Sequence, residues 1–287
     1  MKISGFSFVR NGVLFDYPFL ESIQSILPIC DEFVLAVGNS DDDSLAKIQS
    51  LNDPKIKIVE TVWDESLRTG GSILAQQTDI ALNHTSGDWA FYLQADEVVH
   101  EQDLPVIRQA MLQHLDDPTV EGLLFNFIHF YGSYGYVGNS RKWYRREIRV
   151  VRNKIGVHSW RDAQGFRIGP RKMNVKLVDA SVYHYGWVKP PSIQQRKQMS
   201  FNRLWHSDSW ISEHVQRGDQ FDYSTGGTLS VFEGTHPATM KSRIDAQDWS
   251  FSYDASNLKQ TPRELLLNWI EKKSGYRLAE YKNYNLV

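Results

Sequence analysis

The stretch WAFYLQADEVVHEQDL, residues 89–104, decides how the chain is read. An apolar run, residues 89–93, ends in an acidic pair, Asp96 and Glu97, and a helix-like spacing follows. A strand end delivers side chains into a crevice without burying them. Two acids there suit a divalent cation, because Mg²⁺ and Mn²⁺ favour oxygen ligands and often bridge a carboxylate to substrate phosphates. The same acids also suit the first turn of a helix, where negative charge meets the positive end of the macrodipole. On this stretch alone the two readings stand level.

Upstream, strand-like and helix-like segments alternate. ISGFSFV (residues 3–9), EFVLAVG (32–38) and KIKIVE (55–60) are rich in β-branched and aromatic residues. PFLESIQSILPIC (18–30) carries apolar residues at helical spacing. DDSLAKIQSL (42–51) reads as a helix capped by Asp42 or Asp43. GSILAQQTDIALNHTSG (71–87) reads as a helix that starts near Ser72 and stops before Gly87. Such alternation predicts an α/β fold: an open, mostly parallel sheet with helices on both faces. Ligands of such sheets bind beyond the carboxyl ends of the strands. The residues to read for function are therefore Arg10 and Asn11, residues 38–43, 61–64 and 94–97.

Past Leu115 the alternation weakens. EGLLFNFIHFYGSYGY (121–136), EIRVVRN (147–153) and VKLVDASVYHYGW (175–187) read as further strands. Pro190 and Pro191 punctuate the chain. Residues 192–215 and PRELLLNWIEKK (262–273) read as helices in a polar, aromatic C-terminal region. The boundary falls near Pro190, separating a sheet domain over 1–190 from a helical extension over 191–287.

A chain of 287 residues holds one large α/β domain with an appendage. A net charge of −2 gives no global attraction to nucleic acid or to anionic lipid. Cys30 is the sole cysteine, so no internal disulfide or cysteine-rich zinc site can form, and a reducing cytosol fits. The N-terminal MKISGFSFVRNG reads as a strand rather than a signal peptide. No apolar run approaches the roughly 20 residues of a membrane span. Peripheral docking to a membrane stays open.

The segment NHTSGDWAFYLQADE (83–97) resembles the part of family 2 glycosyltransferases, with the GT-A fold, that ends in their Asp-x-Asp motif. The resemblance implies Asp96 as a ligand of Mn²⁺ or Mg²⁺. It puts Gln94 where the family has its first aspartate, with Ala95 between them. It extends over about residues 1–184. Arg10 and Asn11 fall at the end of the first strand, against the nucleotide base. EFVLAVGNSDDDS (32–44) resembles the second strand and its Asp-Gly-Ser-x-Asp-x-Thr turn, with Gly38 and Asn39 where a base-binding aspartate is expected. Asp42 fits that turn and, more simply, a helix cap. WDESLRTGGSILAQQTDIAL (63–82) resembles the loop and helix that present a basic residue to the donor, which makes Arg68 the candidate. A solvated surface arginine explains Arg68 equally well.

His184 follows an apolar strand among Tyr183, Tyr185, Trp187 and Lys189. The resemblance implies a late-strand histidine that completes the metal site; a satisfied core histidine is the level alternative. A related subgroup carries an Arg-rich strand that leads to a His-Glu pair, and here that region offers His158 and Asp162. Asp162 is the expected catalytic base, with Glu147 next in line. A surface salt bridge to Arg161 or Arg167 would explain Asp162 too, and either arginine would lower its pKa. Arg141, Lys142, Arg145, Arg146, Arg149 and Arg152 form a local positive stretch. Trp143, Trp160, Tyr185 and Trp187 could stack on sugar rings.

The resemblance implies a metal-dependent, inverting glycosyltransferase that moves a sugar from a nucleotide-diphosphate donor to a glycan or glycolipid acceptor. Gln94 and Gly38 motivate a rival of another class, a non-catalytic carbohydrate- or nucleotide-binding protein. A nucleotidyltransferase would carry a glycine-rich, lysine-bearing loop after its first strand, and FVRNGVLFDYP is not one.

Overall fold

The computed structural model describes residues 1–64, 66–67, 70–214, 218–254, 261–275 and 277–287. Four parallel strands form the first half of a twisted sheet: β1 (Ile3–Val9), β2 (Glu32–Gly38), β3 (Ile56–Thr61) and β4 (Trp89–Tyr92), in the order β3-β2-β1-β4. β2 and β4 are buried along their whole length and β1 nearly so. That is why they read as continuous apolar runs rather than as alternating ones. The remaining strands are β5 (Glu97–Val99), β6 (Gly122–Tyr131), β7 (Ser133–Gly138), β8 (Arg146–Arg152), β9 (Val157–Trp160), β10 (Gly165–Ile168), β11 (Arg171–Trp187), β12 (Leu229–Val231) and β13 (Tyr284–Leu286). They continue the sheet as β8-β6-β11-β10-β9 and make it mixed, since β8 runs antiparallel to both β4 and β6.

Helices cover both faces. α1 (Phe19–Ile26), α2 (Ser44–Gln49) and α4 (Leu104–Gln113) pack Ile23, Ile48 and Ile107 against Phe33, Leu35 and Phe91. On the other face α3 (Ser72–Asn83) packs Ile73, Ala81 and Leu82 against Phe6, Val34 and Ala36. Alternate residues of β2 thus feed two cores, as the period of a strand requires.

After β11 come α5 (Pro191–Asn202), α6 (Asp208–His214), α7 (Lys241–Asp245) and α8 (Pro262–Ser274). The stretch expected as one helix over 192–215 is split between α5 and α6. α8 begins at a capping box formed by Thr261 and Glu264. The C-terminal residues return to the sheet: β12 pairs with β7, and β13 lies parallel to β11.

Two local expectations change. Glu97 does not open a helix; it begins β5, antiparallel to β11 in the register His184↔Glu97, and α4 starts only at Leu104. The helix-terminus reading of the acidic pair is therefore replaced. Asp43 occupies the N-cap position of α2 without a side-chain bond. Asp42 instead accepts hydrogen bonds from the backbone N–H groups of Ser44, at 2.9 Å, and Leu14, at 2.7 Å, tying two loops together.

Candidate active site

A cleft of about 740 Å³ opens where β1 and β4 end, large enough for a ligand of several linked groups. It is lined by Arg10, Asn11, Gln94, Ala95, Asp96, Asp162 and His184, which the sequence reading had selected from distant segments. Trp63, Trp187 and Lys197 line it too. Arg68 lies outside the described residues.

At the end of β1, Asn11 sits in the left-handed region (φ 55°), which asparagine tolerates better than most residues. This turn lets its side chain accept from Asp41 N–H at 2.7 Å, while its own N–H donates to Ser40 Oγ at 3.0 Å. Asn11 thus holds the loop after β2. Gly38 and Asn39 do not line the cleft. A Cβ on Gly38 would strike the Trp63 indole nitrogen, so the glycine makes room for Trp63. Asn39 holds the Trp63 backbone, its side chain accepting from the Trp63 backbone N–H at 3.1 Å, and its carbonyl accepts from Arg10 Nε at 3.0 Å. Arg10 also lies over the indole, 5.4 Å from its centre. Where the family pattern leads one to expect an aspartate, the wall is an aromatic ring.

Asp96 follows β4 and lies beside His184 on β11. The pairing of β6 with β11 sets His129 level with His184, and this fixes the tautomers. His129 Nε2 lies 2.8 Å from the Tyr144 carbonyl, which can only accept, so that nitrogen bears the proton. Burial, with the neighbouring His184, pushes His129 down to about 3. The ring is neutral and its Nδ1 is a lone pair. His184 Nδ1, 3.1 Å away, donates to it. Burial also lowers the pKa of His184, against the opposing pull of Asp96. His184 Nε2 is left as a lone pair 3.8 Å from Asp96 Oδ2.

A cation stands beside these electron-rich atoms in the same cleft. Lys197 of α5 places Nζ 3.3 Å from Asp96 Oδ2 and 2.9 Å from the Gly186 carbonyl. Burial alone would raise the Asp96 pKa; the ammonium of Lys197 overcomes it and brings the carboxyl down to about 2. Asp96 and His184 carry donors that suit Mn²⁺. Yet Asp96 Oδ2 already takes an ammonium, and among the described residues no group of three or more His, Cys, Asp and Glu side chains is placed to hold a metal ion. An ion on that oxygen would meet the like charge of Lys197 at short range. As arranged, these residues do not fit a divalent ion.

The second acid of the pair is employed elsewhere. Glu97 accepts from Arg149 Nε at 2.7 Å and Nη2 at 2.6 Å, with both side chains fully buried. The positive stretch expected around residues 141–152 is largely consumed in this way. Arg145 pairs with Glu280, Arg141 with Glu271, and Arg152 donates to the carbonyls of residues 114–120. Of the six basic residues, Lys142 lines the cleft.

Gln94 explains itself at the neighbouring loop. Its Nε2 donates to the Ala163 carbonyl at 3.2 Å, a bond that a carboxylate cannot make. Asp162, next to Ala163, sits between two left-handed non-glycine residues, Arg161 (φ 59°) and Ala163 (φ 64°). Such backbone persists only where its surroundings over-determine it. The expectation that arginine would lower the Asp162 pKa is corrected: burial raises it, outweighing Arg161. Arg167 is occupied with Asn283 and lies 3.9 Å from the centre of the Trp160 ring. His158, on β9, bonds the Arg167 carbonyl of β10, away from the cleft lining. Glu147 is buried outside that lining. Of the aromatics expected to meet sugar, Trp187 lines the cleft. Tyr185 stacks on Phe130 and Trp143 on His129.

Lys197 and His129 went unselected in sequence, whereas Trp63 fell within the strand-end residues 61–64 but was given no role there. Lys197 lies 101 residues from its partner, and His129 is one of many aromatics on β6.

The chain is an open, mixed α/β sheet with helices on both faces and its cleft at the carboxyl ends of the parallel strands. Comparison with protein families finds no matching model, and comparison with curated proteins finds no match. Among solved structures, the chain is similar to S. aureus TarS in complex with UDP-GlcNAc, at 19% identity over 46% of this chain and 36% of that one, with a TM-score of 0.35. The likeness to S. aureus TarS in a second structure covers 76% of this chain and 41% of that one, at 15% identity and a TM-score of 0.41. It is also similar to glucosyl-3-phosphoglycerate synthase from Mycobacterium tuberculosis in complex with Mn²⁺, UDP and glucosyl-3-phosphoglycerate, at 19% identity over 46% and 45% of the two chains, with a TM-score of 0.31. The chain spans less than half the length of these structures.

Proposed function

We propose that this protein is an inverting glycosyltransferase that uses a nucleotide-diphosphate sugar and passes the sugar to a hydroxyl of a glycan or glycolipid. The observation that carries this reading is the shared cleft: a strand-end carboxylate in a cationic setting, Asp96, and a second, partly desolvated carboxylate, Asp162, line one cavity at the carboxyl ends of parallel strands. The nucleoside would lie toward Arg10, Asn11 and Trp63, and the diphosphate toward Asp96, His184 and Lys197. Asp162 would take the acceptor proton; its raised pKa makes it a stronger base than a solvated aspartate. Trp187 offers a ring face for sugar. Gln94 and Gly38, which motivated the non-catalytic rival, both have structural work here, as donor to Ala163 and as space for Trp63.

Thermal shift against a panel of nucleotide sugars tests the donor class, since a ligand of the native state raises the melting temperature by mass action. A selective rise for one nucleotide class is expected, and Asp96→Ala should reduce it while leaving the fold intact. Asp162→Asn should keep donor affinity and lose transfer by about 10²–10⁴-fold. No shift with any nucleotide sugar would overturn the reading; near-normal turnover in Asp162→Asn would move the base elsewhere.

A further inference from the structure

The helix that follows Pro190 brings a cation into the sheet's own site. Lys197 is 12% exposed at its side chain, so its ammonium is held rather than solvated. Among the described residues its hydrogen-bond acceptors are Asp96 Oδ2 and the Gly186 carbonyl. An ammonium has three N–H groups, so one is left for an oxygen entering the cleft that Lys197 lines.

The surroundings are built to hold it. A Cβ at Gly186 would lie 2.5 Å from Asp96 Oδ2 and 2.7 Å from His184 Nε2. Only glycine lets that carbonyl press against the pair and reach Lys197. Tyr17 backs the ammonium, its ring centre 4.9 Å from Nζ. Lys189, fully buried, lies 4.6 Å from the same ring and donates to the Asp16 carbonyl at 2.6 Å. The bare Nε2 of His184, beside Asp96, adds electron density that favours a cation there.

We propose that Lys197 is the cation that meets the departing diphosphate, in the place a divalent ion would otherwise fill, so that donor binding and transfer proceed without a metal. This rests on the donor reading above. In the step, the bond from the anomeric carbon to the diphosphate oxygen breaks and its electron pair stays on that oxygen, which Lys197 meets with a charge-assisted hydrogen bond. The acceptor oxygen forms the new bond to the anomeric carbon, and its proton passes to Asp162. Asp96 then acts as a positioning residue that keeps Lys197 aimed and charged.

The test is calorimetric binding of UDP, GDP and dTDP to the full chain, with EDTA or with Mn²⁺, for wild type, Lys197→Arg and Lys197→Met. The proposal expects one nucleotide to bind equally in EDTA and in Mn²⁺. It expects a loss of about 10- to 100-fold in Lys197→Met, the size of a hydrogen bond to a charged group, with substantial recovery in Lys197→Arg. If Lys197→Met does not fold, Asp96→Asn/Lys197→Met removes both charges together and is expected to show the same loss. Binding that needs Mn²⁺ and is unchanged or stronger without Lys197 would overturn the proposal and leave the donor reading standing. No binding of any nucleotide to wild type in either condition would overturn the donor reading, and the proposal with it.

Discussion

At Glu97 and Arg149 two full charges sit together out of contact with water, joined by two hydrogen bonds. Removing one partner leaves the other buried and uncompensated. Glu97→Gln should therefore cost about 3–5 kcal/mol, lowering the melting temperature on the order of 10 °C by calorimetry. Replacing both residues by apolar ones of similar size should recover much of that loss. Glu147 presents the opposite case. Burial raises its carboxyl to about 8, with Arg149 opposing, and its Oε2 has no hydrogen-bond partner among the described residues. A raised carboxyl pKa means that the folded state keeps a proton the unfolded chain releases, so stability falls as pH climbs from about 4.5 to about 8. Glu147→Gln removes this dependence. The melting temperature of the variant relative to wild type should rise between pH 5 and pH 8; a constant difference would show that Glu147 is ionised in the fold.

Among the elements, β1, β2, β4 and α3 were legible because each satisfies a local rule: continuous apolar runs for strands buried on both faces, and helical spacing closed by a terminator. The ends of those strands were legible too, so Arg10, Asn11, Gln94 and Asp96 were found from position alone. What could not be read was which loops would meet. The turn around Asp162 is locked by Gln94 through one hydrogen bond to Ala163, and nothing local in either segment announces that partnership. Gln94→Glu keeps the shape and replaces the donor by an acceptor facing a carbonyl. It should destabilise by about 1–3 kcal/mol and lower transfer more than donor affinity, because Asp162 loses its support. Equal losses in both would place the defect at the donor instead. The same long-range pairing explains Glu97: sequence could show the acidic pair but not that Arg149, on β8, would claim one member.

At the scale of the whole molecule, residues 191–287 supply parts that residues 1–190 need. β13 adds to β11, Glu280 and Glu271 neutralise Arg145 and Arg141, and α5 delivers Lys197. Residues 1–190 expressed alone should unfold at lower temperature than the full chain and bind no nucleotide diphosphate; full-strength binding by that fragment would show that α5 is dispensable. No described helix is long and apolar enough to cross a membrane. The composition of α5 gave no reason to single out one lysine, since its neighbours Arg196 and Arg203 are equally plausible surface cations in sequence.

The separation of Asp96 from Lys197, 101 residues along the chain, also has a consequence in time. A ribosome adds about 5–20 residues each second, so roughly 5–20 s pass between the synthesis of the carboxylate and that of its ammonium. Through that interval the strand-end carboxylate stands without the ammonium that pairs with it in the finished fold. On the proposal above, tight donor binding is expected only once α5 is in place.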